Sequence, residues 1–441
     1  MICITKQYFN WNRVLLLPMG LWPDKETKFT RFRASLFGCL LMSNIAFQDQ
    51  QISCLQLSRL FFAEYSFDLV IKILSSSSFF CTLAILFMCF WIKMETMKYL
   101  LHQLQHIYDG LKNQNEIAIY EKYGYIGKCI SARLTSKNKI QRLLSEYLKI
   151  SHKKLDKIGK SNTNCLLCLT SMFTVFTICG LFFNFIIIYS PFILDVVIPK
   201  NESYAIFIMK MVTKYFVVSE KYYFLIIVHM NAAFSVGMIV LTGTGTMMIS
   251  YFKYACGMFE ITSYRIEQAM AIELLRNTDI KKEIVIYRGI ICAVDIHRTA
   301  MEFAKCFLTK TEVLFFLLVI TAVLCLSCNL FRIFKIESPM EQVVEVLLHI
   351  IVVILIVAVT FLPNYVGQEI MDYNNNVYVT TYNVLWYLAP ADIQKLILFL
   401  IQRSSRIFCL TVGGLFTASL ECFATLVSAS VSYFTFMYSM Q

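Results

Sequence analysis

Long apolar runs, each close to the length of a membrane-crossing helix, recur along the whole chain. A helix rises about 1.5 Å per residue and therefore needs about 20 apolar residues to cross roughly 30 Å of hydrocarbon. Such runs lie near residues 34–57, 66–92, 163–190, 218–250, 311–334, 342–363 and 414–438. Because they are continuous and lack the alternation of barrel strands, they predict an all-α polytopic membrane protein with seven transmembrane helices.

The composition supports lipid as the solvent of this chain. Of its 441 residues, 58% are hydrophobic and 16% are charged, whereas soluble domains have about half and about a quarter. The first run is the weakest, because QDQQ at 48–51 interrupts it. The amino-terminal apolar stretch is broken by Pro18, Gly20 and Pro23, and no small-residue cleavage site follows, so a removed signal peptide is not expected.

Basic residues are unevenly distributed between the predicted loops. Of the 40 Lys and Arg residues, 31 fall in residues 1–33, 93–162, 251–308 and 365–412. Since Lys and Arg favour the cytoplasmic side, the amino terminus is predicted to be inside and the carboxyl terminus outside. The sequon at Asn201 then lies in the outer segment 191–217, where glycosylation is predicted.

The predicted cytosolic segments carry helical periodicity of their own. Apolar residues recur at intervals of three and four in 97–111 and again in 140–148, so the inner loops 93–162 and 251–308 are expected to be helical. An amphipathic helix is predicted after Pro390, with Asp392 in its first turn, where the helix dipole favours a carboxylate. Periodicity leaves open whether these helices lie on the membrane surface or form a platform where subunits meet.

Motifs of other chemistries are missing from the sequence. The two C-x-x-C spacings, Cys165 with Cys168 and Cys325 with Cys328, lie inside apolar runs, so buried packing residues are expected rather than zinc ligands. The net charge of +11 follows the loops, which argues against a nucleic-acid partner. With no H-E-x-x-H, G-x-x-x-x-G-K or G-x-S-x-G motif, neither an enzyme nor a cofactor is expected.

One stretch in the last quarter of the chain carries recognisable motifs. Residues 366–387 read VGQEIMDYNNNVYVTTYNVLWY. They resemble the insect odorant receptor signature, in which Gly-Gln (Gly367, Gln368) opens a helix and Tyr-x-x-x-Trp (Tyr382, Trp386) closes it. Beyond them lie an Arg-Ser turn, a Gly-Gly-x-Phe entry to the last span and a terminal Ser-Tyr-Phe, at Arg403, Ser404, Gly413, Gly414, Phe416, Ser432, Tyr433 and Phe434. Residues 243–266 also resemble the expanded receptor clade of ants and other Hymenoptera.

The resemblance implies a subunit of an odorant-gated, non-selective cation channel, in which four subunits each contribute their last helix to a central pore. It implies a heterotetramer with the odorant co-receptor in the plasma membrane of sensory neurons, with Tyr382 and Trp386 at assembly contacts. The long extra loop typical of the co-receptor is missing, which indicates a ligand-tuning subunit. The basic residue often found before the terminal Ser-Tyr is also missing.

The resemblance divides the chain into four parts. These are a cytosolic amino-terminal segment, a six-helix bundle that holds the ligand pocket, a cytosolic helical anchor and a pore-lining last helix, at 1–33, 34–363, 364–412 and 413–441. By match to the terminal Tyr-Phe, Tyr433, Phe436 and Met440 share one face of the last helix and form a hydrophobic gate. The alternative is that this face contacts neighbouring helices or lipid.

A pocket for a small volatile or cuticular apolar ligand is expected between the outer halves of spans two, three and four. The residues predicted to line it combine small, polar and aromatic side chains: Ser76, Ser77, Phe80, Thr177, Gly180, Asn184, Tyr222, Ile226 and Met230. Each has a plain alternative, because serines bond back to their own helix, glycines permit close packing and aromatics fill cores. For His229 and His349, inside spans, a structural hydrogen-bonded role is favoured, with Glu345 placed to pair with His349.

Three rival functions make different demands on the sequence. A gustatory receptor would end in a Thr-Tyr followed by five apolar residues and a Gln-Phe, whereas this chain ends SYFTFMYSMQ, without the Gln-Phe. A secondary transporter would show internal repeats and paired Gly or Pro interruptions, which the sequence lacks apart from a break at Gly243 and Gly245. A G-protein-coupled receptor would place the amino terminus outside.

Overall fold

The computed structural model of the protein describes residues 4–23, 27–58, 67–132, 223–271, 280–336, 343–406 and 408–440, with a few helical positions between 177 and 189. The described helices are α1 (Ile4–Tyr8), α2 (Asn10–Leu16), α3 (Lys28–Ser58), α4 (Phe67–Ile92), α5 (Met94–Gly110), α6 (Gln114–Ala132), α7 (Tyr223–Ala269), α8 (Ile280–Lys335), α9 (Val343–Asn383), α10 (Ala391–Ser404) and α11 (Leu420–Ser439). A 3₁₀ turn (Trp386–Leu388) precedes α10, and the strands β1 (Thr411–Val412) and β2 (Phe416–Thr417) precede α11.

Five helical segments in the described part of the chain are long and apolar enough to cross a membrane: Ile73–Ile92, Leu225–Ala269, Glu312–Lys335, Glu345–Asn383 and Leu420–Ser439. They coincide with predicted spans two, four, five, six and seven. The predicted first span is helical within α3, but α3 is not among the five, because its basic start and the polar QDQQ dilute the apolar run. The third predicted span lies mostly outside the described residues.

Three helices are much longer than a bilayer crossing requires. The lengths of α7, α8 and α9 are 47, 56 and 41 residues, whereas about 20 residues span the hydrocarbon. Each therefore extends well beyond the membrane, as predicted for the loop 251–308. The predicted division at 363 falls inside α9, which continues through Pro363, so Gly367 and Gln368 lie in mid-helix and do not open a helix.

The start of the last helix differs from the prediction. Residues 411–417 form a two-stranded hairpin in which Val412 pairs with Phe416. Gly413 and Gly414 turn it with positive φ angles of 62° and 64°, a left-handed backbone that ends helical geometry and that glycine adopts without steric cost. Helix α11 therefore begins at Leu420 and not near 414, and the Ser419 side chain caps it by accepting a hydrogen bond from the Cys422 N–H at 3.1 Å.

Helix α7 lies at the centre of the packing and contacts α3, α4, α6, α8 and α9. The amino-terminal segment docks against it as well. Phe9 stacks on Tyr254 with ring centroids 6.0 Å apart. The fully buried amide of Asn12 donates to Thr246 Oγ1 at 2.8 Å and to the Gly243 carbonyl at 3.2 Å. Residues 1–33 thus include a short helical unit, α1 and α2, that is packed onto α6 and α7.

A buried polar network joins α6, α7 and α9. Lys253 Nζ lies 2.5 Å from Glu369 Oε1, with the two side chains 0% and 3% exposed. The hydroxyl of Tyr123 donates to Glu260 and lies 2.7 Å from the hydroxyl of Tyr373. Burial, reinforced by the Glu260 carboxylate, keeps the pKa of Tyr123 well above its usual value, so the hydroxyl keeps its proton. Removing either member of the Lys253–Glu369 pair would leave the other charge buried, unpaired and without water.

Replacing Lys253 tests how far this ion pair supports the fold. Lys253→Met leaves the Glu369 carboxylate buried and unpaired, so we expect a loss of about 3–5 kcal/mol in stability. Lys253→Met combined with Glu369→Leu removes both charges and should recover most of that loss. The measurement is the thermal unfolding of detergent-solubilised protein.

Lys395→Met is the matched control, because Lys395 pairs with Asp392 at the surface, where both side chains are at least 70% exposed. It should unfold at the wild-type temperature. Equal melting of Lys253→Met and Lys395→Met would contradict the importance of the buried pair.

Candidate functional site

Helices α4 and α7 come into close contact within the bundle. Phe79 and Phe234 lie with ring centroids 6.1 Å apart. One turn further along both helices, a side chain at Gly237 would overlap Leu83, because a Cβ atom added to the glycine would lie 2.5 Å from Leu83 Cδ1. Because sequence numbers rise in the same direction along both helices, α4 and α7 run parallel here, and Gly237 allows their close approach.

Four of the predicted pocket residues lie beside this contact. Ser77 and Phe80 are buried on α4, and Ser76 is half-buried. Met230 lies one turn before Phe234 on α7 and packs against the main core. Since both helices rise about 1.5 Å per residue, Ser76 and Met230 lie at matching depth, about 5 Å beyond the Phe79 contact. Ile226, a further turn along α7, is half-buried.

The predicted contribution of the third span is only partly described. Thr177 is helical and 2% exposed. Gly180 is half-buried, and a Cβ added there would meet nothing within 4 Å. Asn184, Tyr222 and the sequon at Asn201 lie outside the described residues. The binding role of every one of these side chains stays a prediction.

The two histidines inside predicted spans have hydrogen-bonded partners. His229 Nε2 lies 3.3 Å from Ser43 Oγ, which links α7 to α3. His349 Nδ1 lies 2.8 Å from Asn329 Oδ1, which links α9 to α8. Glu345 is 3.9 Å from His349 but forms its short contact, 2.5 Å, with Arg332. These hydrogen bonds therefore join neighbouring helices, in agreement with the structural role that the sequence analysis favours for His229 and His349.

The last helix packs along a narrow stripe. Ser430 is buried, and its carbonyl accepts a hydrogen bond from Ser327 Oγ of α8 at 3.0 Å. Phe434 lies against Phe334 with ring centroids 5.1 Å apart, and Met437 packs on the same small cluster. Within the chain, only 11% of the apolar segment of α11 is buried, whereas 72% of the apolar segment Ile73–Ile92 is buried.

The three residues predicted to form the gate lie outside this packing stripe. Tyr433, Phe436 and Met440 are 58%, 62% and 67% exposed. They recur at intervals of three and four and therefore form one strip along the helix. Such an apolar, aromatic strip must be covered in the membrane, either by lipid or by other subunits.

A close contact fixes the start of α11 against α9. A Cβ at Gly367 would meet the carbonyl oxygen of Ala418 and lie 2.5 Å from the Ala418 Cβ. One turn earlier, Asn364 Oδ1 accepts a hydrogen bond from the Ser419 N–H at 3.1 Å. The Gly-Gln motif thus supplies a surface without a side chain against which the hairpin rests. Asn364 was not identified from the sequence, because a lone polar residue in an apolar run carries no positional signal.

The anchor helix α10 covers a second, smaller core. Ile393 and Ile397 are buried against Ile286 and Ile290 of α8, as the amphipathic pattern after Pro390 predicts. Trp386 packs at the edge of this cluster. Tyr382 is 60% exposed. The exposed aromatic and apolar residues of this region are Tyr382, Tyr387, Leu388, Leu398 and Phe399. A surface of this kind is typical of protein contacts, but the predicted assembly role of Tyr382 and Trp386 stays a prediction.

Known proteins resemble the chain in sequence and in fold. The 7tm Odorant receptor family profile matches residues 129–431. Odorant receptor 10 of Aedes albopictus is 28% identical over 110 residues, which are 25% of this chain and 28% of that protein. The match therefore spans little more than a quarter of that relative's length.

The structural likeness covers nearly the whole chain. The insect olfactory receptor OR5 from Machilis hrabei, solved in complex with eugenol, superposes with a TM-score of 0.67 at 13% identity, over 99% of this chain and 98% of that one. A further structure of that receptor gives a TM-score of 0.65 at 14% identity, with the same coverage. At such identity the likeness shows the fold, and it confirms the predicted all-α, seven-transmembrane architecture.

The contact at Gly367 yields a test of how α11 is held. In Gly367→Ala the new methyl group meets backbone atoms at residue 418, so we expect the hairpin to shift at a cost of about 1–3 kcal/mol. Gly245→Ala on α7 is the matched control, because a Cβ there meets nothing within 4 Å. Alanine favours a helix over glycine by about 0.5–1 kcal/mol, so the control should melt at or above the wild-type temperature. A stabilised Gly367→Ala would contradict the close contact.

Proposed function

Because the chain belongs to the 7tm Odorant receptor family, we propose that it is the ligand-tuning subunit of an odorant-gated, non-selective cation channel. It works in the plasma membrane with its amino terminus in the cytosol. Its partners are odorant co-receptor subunits, with which it forms a heterotetramer.

The observation that carries this proposal is the incomplete packing of α11. A single chain leaves the strip formed by Tyr433, Phe436 and Met440 exposed, while a separate stripe of the helix packs on α8 and the start of the helix packs on α9. Four such helices around an axis would cover the strip by turning it towards a common centre. An apolar constriction of this kind blocks ions by dewetting, and it conducts when the side chains rotate away.

The ligand in this proposal is a small apolar odorant bound between the outer parts of α4, α7 and the third span. Eugenol, bound by the OR5 receptor of Machilis hrabei, is a molecule of the expected size and polarity. Ser76, Ser77, Phe80 and Met230 supply hydroxyls, an aromatic face and a flexible thioether within about one helical turn along the axis, which suits an apolar ligand with one polar group.

A chain of contacts connects this region with α11. Met230 and Lys253 belong to the same continuous helix, α7, so a shift at one is carried along its axis. Lys253 pairs with Glu369 on α9, and Glu369 lies two residues from Gly367, which contacts Ala418 before the last helix. Ligand binding that favours one position of α7 over another would thereby favour one position of the start of α11.

Electrical recording from cells expressing the chain tests the proposed activity. Co-expressed with a co-receptor, it should give inward cation currents in response to some members of a panel of volatile alcohols, esters, phenols and cuticular hydrocarbons. The co-receptor alone should be silent to the same compounds. Currents that require a G protein, or ligand uptake without current, would contradict the channel.

The gate is tested by placing a hydroxyl in the exposed strip. Phe436→Ser should wet the constriction and raise the current without ligand severalfold, because water then enters the closed pore. Val431→Ser is the matched control, since Val431 is 43% exposed on α11 but lies away from the strip. If both variants leave the resting current unchanged at equal surface expression, the strip faces lipid and not ions.

A further inference from the structure

A cavity of about 310 Å³ opens where α8, α10 and the hairpin before α11 meet. Its walls are mainly polar and come from three separate parts of the chain: Lys305, Leu308, Thr309, Arg403, Phe408, Cys409, Leu410 and Thr411. The volume is at the lower end of the range for small-ligand pockets, which is about 300–1,000 Å³. The cavity is therefore large enough for one compact polar group. Measured along α8, it lies far from the proposed odorant region.

The lining carries two positive charges and no acid. Lys305 Nζ lies 5.5 Å from the ring centroid of Phe408, and Arg403 Nη2 lies 3.5 Å from the sulfur of Met301. Within the described ranges, neither cation forms an ion pair, and Glu302, on the same stretch of α8, is 3.7 Å from Arg298. Burial lowers the pKa of the neighbouring His297, so that ring stays neutral at physiological pH. The cavity thus presents an uncompensated charge of two.

In the proposed topology the cavity lies at the depth of lipid headgroups. Thr309 is three residues before Glu312, where the apolar segment of α8 begins, which corresponds to about 4.5 Å along the axis. The headgroup layer occupies about 5–7 Å on each side of the hydrocarbon, and a Lys or Arg side chain can reach into it from below. The proposed orientation puts this end of α8 on the cytosolic side.

We propose that this cavity binds the phosphate of a phosphorylated inositol headgroup belonging to a lipid of the cytosolic leaflet. Arg403 offers paired N–H donors that match phosphate oxygens, Lys305 adds a mobile positive charge, and Thr309 and Thr411 offer hydroxyls. Basic pockets of this kind at the cytosolic ends of transmembrane helices are typical sites for such headgroups. The general negative potential of the leaflet would attract surface lysines equally, so the distinguishing feature is that two exposed cations from different helices, Lys305 and Arg403, line one cavity.

Occupancy would also act on the last helix. One wall of the cavity is Leu410 and Thr411, the first half of the hairpin that leads into α11. A phosphate bridging Lys305 on α8 and Thr411 on the hairpin would hold the two together. We therefore expect the lipid to change the ligand concentration needed for half-maximal current.

The test uses the receptor and co-receptor complex in lipid nanodiscs, with bound lipids counted by native mass spectrometry. Nanodiscs contain phosphatidylcholine alone or with phosphatidylserine or phosphatidylinositol 4,5-bisphosphate, and a further arm adds soluble inositol trisphosphate. We expect retention of the bisphosphate lipid by the wild type and at least a tenfold weaker retention by Lys305→Glu/Arg403→Glu. The Lys305→Gln/Arg403→Gln variant, which removes the charges without reversing them, guards against misfolding. Lys395→Glu, which reverses one charge on the surface of α10, should retain the lipid.

Three results would overturn the proposal. Equal retention of the lipid by the glutamine variant and the wild type would show that the cavity does not bind it. Equal binding of phosphatidylserine would reduce it to general surface attraction. Binding of soluble inositol trisphosphate without the lipid would assign the cavity to a free metabolite. The readout is mass and not current, so it is independent of whether the complex conducts.

Discussion

Inside the hydrocarbon, each backbone N–H or C=O group without a partner costs several kcal/mol, so the chain has to cross as uninterrupted helix. This protein keeps the same helices after they leave the membrane. Helices α7, α8 and α9 run for 47, 56 and 41 residues, roughly twice the crossing length or more. A side chain near the start of α7 and one in the buried polar network therefore belong to one continuous helix, and distant parts of the molecule are connected without a loop between them.

Two kinds of contact join the helices, one within the lipid and one beyond it. Lipid provides little hydrophobic drive for helix association, so close packing and interhelical hydrogen bonds are needed within the bilayer. The contact of Leu83 with Gly237 and the bond from Ser327 to Ser430 are examples. Further along, buried charges such as Lys253 and Glu369 form a close pair. A pair of this kind adds little net stability, but it defines which surface of α7 meets which surface of α9.

The last helix shows what a single chain leaves unfinished. It is fixed at its start by Asn364, Gly367 and Ser419 and along one stripe by α8, while most of its surface has no contact within the described part of the chain. A helix held in this way can rotate or tilt by small amounts without breaking a large core. That property suits the proposed gate, and under the proposed function the hairpin before α11 is the place where a ligand or lipid would influence opening.

Local pattern in the amino-acid sequence was enough to predict the elements that each segment forms alone. Apolar run length identified the five crossing segments in the described part of the chain, and intervals of three and four identified the buried face of α10. The resemblance to the family's terminal motif pointed to the strip of Tyr433, Phe436 and Met440. The motifs near the carboxyl terminus indicated the family. These features are readable because lipid and helix geometry act on each segment separately, whatever its neighbours are.

Which segments meet became known only from the folded chain. Nothing near Lys253 in the sequence points to Glu369, 116 residues away, and the cavity of Lys305 and Arg403 exists only because a hairpin folds back beside α8. The predicted start of α11 was wrong for the same reason, since Gly413 and Gly414 can lie in a helix or in a turn. The docking of the hairpin on Gly367 selects the turn, because through-space contact is a property of the assembled fold and not of any one segment.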